Sequence, residues 1–236
     1  MQDQNTRNFL IVGASGSIGV AIQEKLFIKN NNIWKISRSL ETSLSERSLN
    51  LNDVLSDVKN TLSHLPKFNG VIFAQGANVN DSVMSFDKAT HQSIYNANVL
   101  VILELTHLLI THNLFAKKSA LCIVSSIWQD IARNNKLSYS VSKSALKGLV
   151  LSLVADISVH GIRVNSVLPG PIDNAMTRKN LSNTQIAKFE SESPSGSLST
   201  LASVVNAAVW LVSPESEGVT GNFLRVDSGA SHVRLY

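Results

Sequence analysis

The stretch Phe9-Leu-Ile-Val12 followed by Gly13-Ala-Ser-Gly16-Ser-Ile-Gly19 limits the folds open to this chain more than any other. Four apolar residues end in a turn holding three glycines, after which Ile18, Ala21, Ile22, Leu26 and Ile28 recur at helical spacing. A strand that turns sharply into a helix opens a dinucleotide-binding α/β fold. Its glycines let the backbone turn tightly and approach a diphosphate, whose charge meets the free N–H groups and the positive end of the helix. The spacing here is Gly-x-x-Gly-x-x-Gly rather than Gly-x-Gly-x-x-Gly, and a purely structural turn is the competing reading.

Further apolar runs repeat the alternation. Strands are expected at Ile33–Ile36, Ser48–Asn50, Gly70–Ala74, Ala120–Val124, Ile162–Leu168 and Asn222–Val226. Helices are expected over Asp53–Leu65, Asp87–Asn113, Ser138–His160 and Leu201–Val212. The pattern implies a Rossmann-type doubly wound parallel sheet of about seven strands with helices on both faces, with ligands at its carboxyl edge. All 236 residues fit one domain without internal repeats. Within it, residues 173–200 are polar and rich in Ser and Asn, with Met176, Leu181, Ile186 and Phe189 as apolar anchors, and read as a substrate lid or a plain solvated loop.

The second strand ends at Ser37-Arg38-Ser39. An acidic residue there would take the ribose hydroxyls of NAD and repel a 2′-phosphate, whereas Arg with flanking hydroxyls would hold that phosphate. NADP(H) is therefore expected over NAD(H), against the alternative of an ordinary surface arginine.

Chemistry is concentrated at Tyr139-Ser-Val-Ser-Lys143. On one helix face the two side chains lie about 6 Å apart along the axis, so the ammonium is expected to favour phenolate and lower the Tyr139 pKa. Ser126, just past the Ala120–Val124 strand, could hydrogen-bond the same substrate oxygen. A Tyr-x-x-x-Lys spacing alone is weak, because a solvated helix face explains it equally well; its value comes from the glycine turn, the strand-end Ser and the later Pro169-Gly170 turn. Asn98, inside an apolar helical run, either tethers backbone in the core or holds a water for the site. Trp128, Gln129, Ile131, Met176 and Phe189 would line a partly apolar substrate pocket.

Composition excludes several classes. The formal charge of +4 comes from scattered basic residues without a Lys/Arg run, so nucleic acid is not an expected partner. A single cysteine, Cys122, rules out a disulfide within the chain and reads as core packing, and no metal site is expected. Neither a signal core nor an uninterrupted membrane-spanning apolar stretch is read, since Glu104 and His107 break Val99–Ile110; a cytoplasmic protein without membrane partners is expected.

Together these residues resemble the short-chain dehydrogenase/reductase family in its short single-domain form, including the oxoacyl-carrier-protein reductases. That family's Thr-Gly-x-x-x-Gly-x-Gly turn has Val12 for the Thr and Ser17 for the middle Gly here, with Gly16 restoring flexibility one position earlier. The resemblance implies a catalytic group of Asn98, Ser126, Tyr139 and Lys143. Tyr139 would move the proton, Ser126 would position the oxygen, Lys143 would bind the nicotinamide ribose, and Asn98 would hold a water. Cofactor contacts are implied for Gly13, Ser15, Gly16, Ser17, Ile18, Gly19, Arg38, Ser39, Asn50, Leu51, Ala74, Gly76, Tyr139, Lys143, Pro169, Gly170 and Ile172, and substrate contacts for Ser126, Trp128, Tyr139 and Met176. Phe73-Ala-Gln-Gly76 replaces the family's Asn-Asn-Ala-Gly, so the tether after the fourth strand must be built differently. The implied activity is reduction of a small carbonyl compound, or oxidation of a secondary alcohol, with NADP(H), in a homodimer or homotetramer. A cofactor-binding regulator or scaffold with incidental turnover, and a sugar-nucleotide epimerase or dehydratase, are the alternatives.

Overall fold

The computed structural model describes residues 6–39, 47–174, 177–178 and 181–233. Seven strands, β1 (Asn8–Val12), β2 (Asn32–Ser37), β3 (Ser48–Asn50), β4 (Phe68–Phe73), β5 (Phe115–Val124), β6 (Arg163–Pro169) and β7 (Phe223–Val226), form one parallel sheet in the order β3-β2-β1-β4-β5-β6-β7. The strands are near-continuous apolar runs because both sheet faces are covered. Leu10, Val12, Val71, Phe73, Leu121 and Ile123 pack on one face against α5 (Val101–Thr111) and α6 (Leu137–Ile157). The alternate residues Phe9, Ile11, Ile72 and Cys122 face α1 (Ser17–Phe27) and α8 (Leu201–Leu211) on the other. Burial in that second layer pushes the Cys122 thiol up to about 12, which leaves it an inert packing group.

After β1 the chain builds outward to β2 and β3, then returns to lay β4 on the other edge of β1. Val12 pairs with Ile36 on one side and Phe73 on the other, so the turns after β1, β2 and β4 converge at one carboxyl edge. Such a switch point leaves a crevice between turns that diverge to opposite sheet faces.

Three elements differ from expectation. The 53–65 helix is two short ones, α2 (Leu51–Ser56) and α3 (Val58–Leu62), because Asn50 and Asp57 each cap a new start by accepting from the main chain. β5 begins at Phe115, five residues early, through an irregular stretch where Lys118 has φ +55° and the pairing to β4 shifts register. The 87–113 helix is α4 (Lys88–Tyr95) and α5 joined by a π-helical turn, Asn96–Leu100. By length and composition alone, Lys88–Thr111 would suffice to cross a membrane, against the sequence expectation. Ile102, Leu105 and Leu109 instead cover the sheet. Within the expected lid, α7 (Asn183–Glu192) starts from a capping box of Ser182 and Gln185, and Ile172 forms a bridge with Ser199.

Candidate active site

The turn after β1 is fixed by close approach. Gly13 has φ +81°, and a Cβ there would lie 2.4 Å from the Gln75 amide nitrogen; at Gly19 it would lie 2.3 Å from the Gly13 carbonyl oxygen. Neither position admits a side chain without moving backbone. Gly16 corrects the sequence reading: its φ is −78°, so it supplies no special flexibility. It stands at the N-cap of α1 without a side-chain cap, leaving the N–H groups of that turn for a ligand.

A cleft of about 940 Å³ runs from this turn along the switch point. Ser15, Ser17 and Ile18 line it, as do Arg38, Ser39, Leu51, Ala74 and Gly76, together with Gly13 and Gly16. Hydroxyls connect the first two turns: Ser15 Oγ lies 2.6 Å from Ser37 Oγ, which lies 3.1 Å from Ser39 Oγ. The Arg38 side chain is exposed beside them. Asn50 is not part of the lining. Its amide caps α2 at Asn52 N and donates to the Arg38 carbonyl, so it braces the Arg38 turn, and Leu51 and Asn52 form the wall instead.

The opposite wall escaped the sequence reading. It is the face of α4 and the start of the π turn, carrying Ala89, Gln92, Ser93, Asn96 and Ala97, whose small and polar residues at three- and four-residue spacing were the available signal. Pro169 ends β6 and Gly170 and Ile172 follow it, all outside this lining; Gly170 packs so closely on Asp227, just past β7, that a Cβ would meet its Cβ at 3.0 Å, and Ile172 is buried. They close the far end of the sheet edge rather than the cleft described above.

The catalytic candidates meet where β5 delivers Ser126 to the start of α6. Ser126 accepts from Trp128 N at 3.3 Å and hydrogen-bonds the Tyr139 side chain. Lys143 is 3% exposed, donates to the Val124 carbonyl at 3.2 Å and lies 5.7 Å from the centre of the Tyr139 ring. The expected lowering of the Tyr139 pKa is overturned. Burial pushes the phenol up to about 12, opposed by the Ser126 bond, and burial lowers Lys143 to about 8. Burial outweighs the nearby ammonium, which is itself pulled toward neutrality.

Asn98 tethers backbone in the core, the first of its two readings. It is fully buried; its Oδ1 accepts from Ala77 N at 2.7 Å, while its Nδ2 donates to Ala77 O at 2.9 Å and Ser142 Oγ at 2.9 Å. This is how the segment after β4 is held without the Asn pair. The π turn aims Asn98 inward between β4 and α6. The start of α6 has a second anchor the sequence reading missed, the Asp81 carboxylate, which accepts from Ser138 N at 3.0 Å and from Ser138 Oγ, with His91 Nδ1 2.8 Å from that hydroxyl.

Trp128 is half-buried, donates its backbone N–H to Ser126 and meets Phe189 of α7 edge-on at 6.3 Å. Gln129 is buried and Ile131 is at the surface. Met176 lies outside the described residues. Among the described residues no group of three or more His, Cys, Asp or Glu could hold a metal ion.

The family model for enoyl-(acyl carrier protein) reductase matches residues 50–231. The chain belongs to the short-chain dehydrogenase/reductase family. Like that family it is an oxidoreductase. It is 26% identical over 235 residues to the uncharacterized oxidoreductase YmfI of Bacillus subtilis, covering 93% of this chain and 97% of that one. It is 25% identical over 233 residues to the 3-oxoacyl-[acyl-carrier-protein] reductase FabG of Escherichia coli, covering 93% and 95%. Its fold is similar to Thermoplasma acidophilum aldohexose dehydrogenase, with a TM-score of 0.87 at 20% identity over 98% of this chain and 96% of that one. The gluconate 5-dehydrogenase of Burkholderia cenocepacia, solved with NADP and tartrate, gives 0.86 at 18% identity over 96% of each.

Proposed function

We propose that this short-chain dehydrogenase/reductase is an NADP(H)-dependent carbonyl reductase, acting in reverse on secondary alcohols. The observation that carries the reading is the run of one cleft from the Gly13 turn and the Ser15–Ser37–Ser39 hydroxyls to Gly76, whose vacant Cβ position lies 3.7 Å from Lys143 Nζ. These residues fit a dinucleotide: Gly13, at positive φ, closes the turn tightly against Gln75, the start of α1 offers N–H groups without a side-chain cap to a diphosphate, and Arg38 with Ser39 suits a 2′-phosphate. Ala74 and Gly76 would flank its other half, beside Lys143.

When bound, the nicotinamide supplies or accepts the hydride. The protein's part is at the oxygen. Tyr139, kept protonated by burial, carries on Oη the proton that a reduced carbonyl oxygen needs. Ser126 presents its hydroxyl at the same point, where negative charge develops. Lys143 stays largely cationic at neutral pH and stabilises the phenolate left when the proton departs.

Titration followed by nicotinamide fluorescence tests the cofactor: NADPH should bind at micromolar or better affinity and NADH more weakly. Arg38→Ala should erase that preference, raising the NADPH Kd by about tenfold or more with little change for NADH. Tyr139→Phe should abolish carbonyl reduction and leave NADPH affinity nearly unchanged; near-wild-type turnover would sink the assignment. Leu100, Leu103, Val141 and Leu151 are exposed on the α4–α5 run and on α6, which pack together, and this apolar surface favours a homodimer or homotetramer.

A further inference from the structure

Two cations near the candidate catalytic group, Lys136 against Tyr139 and Arg133 against Trp128, have no part in the chemistry described so far. The Arg133 guanidinium is held by ring faces, with Cζ 5.7 Å from the centre of Trp128 and 5.7 Å from that of Phe189. That grip fixes the group while leaving its planar fork of donors unused: among the described residues it makes no hydrogen bond or ion pair. Lys136 is 7% exposed with Nζ 5.8 Å from the Tyr139 ring centre, donating to Asn78 Oδ1 at 2.8 Å and to Val79 O at 3.3 Å. Both acceptors are neutral, so one of its three donors and its full charge remain. The carboxylate that faces it, Asp81, is engaged by Ser138 N and Oγ and makes no salt bridge to Lys136.

We propose that Arg133 and Lys136 form an anion-binding pocket next to Tyr139, and that the substrate is a small oxo acid whose carboxylate sits on them. This rests on the carbonyl-reductase reading and names the substrate class for that same site.

Three arguments carry it. Lys136 is buried with the partly buried Arg133 close enough to repel it and with Asp81, already engaged by Ser138, as its counter-charge, and a neutral Gln at 136 could donate to Asn78 and Val79 without that penalty. Burial first and Arg133 second lower Lys136 to about 8, a strain that an arriving anion would relieve. Lys136 also lies beside the reacting phenol, with Arg133 close enough to act on it, so the anion must be only a few bonds from the carbonyl. An acyl thioester on a carrier protein is neutral around its ketone, and its phosphate lies at the far end of a long linker.

The test is calorimetric titration of the NADP⁺-loaded protein, which cannot reduce a ketone, with 3-oxobutanoate and with its ethyl ester. The acid should bind at least about tenfold more tightly than the ester. Arg133→Gln and Lys136→Gln should each weaken the acid by about tenfold or more and leave the ester within about twofold, and Lys136→Arg should restore most of the difference. Equal binding of acid and ester by the wild type would overturn the proposal. So would variants that weaken both ligands alike, since that is the mark of a structural role, or tighter binding of a 3-oxoacyl pantetheine thioester than of the acid. Failure to bind NADP(H) at all would reject the reductase reading, whereas cofactor binding without acid preference rejects the anion pocket alone.

Discussion

Lys143 shows how the site departs from maximum stability. Its folded pKa of about 8 lies below the ordinary 10.5, so at neutral pH the fold carries a buried ammonium that the unfolded chain solvates better. Between pH 8 and 10.5 the unfolded state holds more protons, and stability rises with pH on account of this group. Tyr139 works in the opposite sense at higher pH: with its folded value near 12 against 10, its contribution falls as pH climbs past 10. We expect Lys143→Met to be inactive yet more stable than the wild type at pH 7, by roughly 1–3 kcal/mol. Thermal melts from pH 7 to 10 should show that gain shrinking toward the alkaline end; a constant difference would mean that the ammonium is not the source. This behaviour was hidden in the sequence. Tyr-x-x-x-Lys fixes that the two groups are neighbours, but the direction of their pKa shifts depends on burial, which spacing does not encode.

At the scale of elements, the π turn and the glycine turn are where the fold commits to its cleft. Asn98→Leu removes three hydrogen bonds, leaves the Ala77 amide and carbonyl without their partner, and should cost about 2–4 kcal/mol, with the Ala77 amide losing protection in hydrogen exchange. Gly13→Ala should cost about 2 kcal/mol or more and abolish dinucleotide binding in the fluorescence titration, since its methyl would collide with the Gln75 backbone. The strands, α6 and the glycine turn were legible because strand runs, 3.6-residue periodicity and glycine each leave a direct local mark. The π turn was not: one additional residue in a turn barely disturbs an apolar pattern in which Asn96, Asn98 and Val99 are read together. The α4 wall was missed because small polar residues at helical spacing resemble an ordinary solvated face.

For the whole molecule, the exposed apolar residues of the α4–α5 run and α6 are the surface on which the proposed homo-oligomer rests. Light scattering should give a dimer or tetramer, and Leu103→Glu combined with Leu151→Glu should shift it toward monomer while the far-ultraviolet circular dichroism is kept. Sequence order announced the sheet's layers but left open which apolar helix residues face outward, because one facing solvent and one facing the core look alike until the fold places them. The sheet order also bears on biosynthesis. β1 lies near the middle of the sheet, yet it leaves the ribosome well before β4, its partner on one side. Until Phe68–Phe73 has been translated, one edge of Phe9–Val12 is an unpaired row of backbone donors and acceptors on an apolar strand, and it is there that a nascent chain of this protein would need shelter from its neighbours.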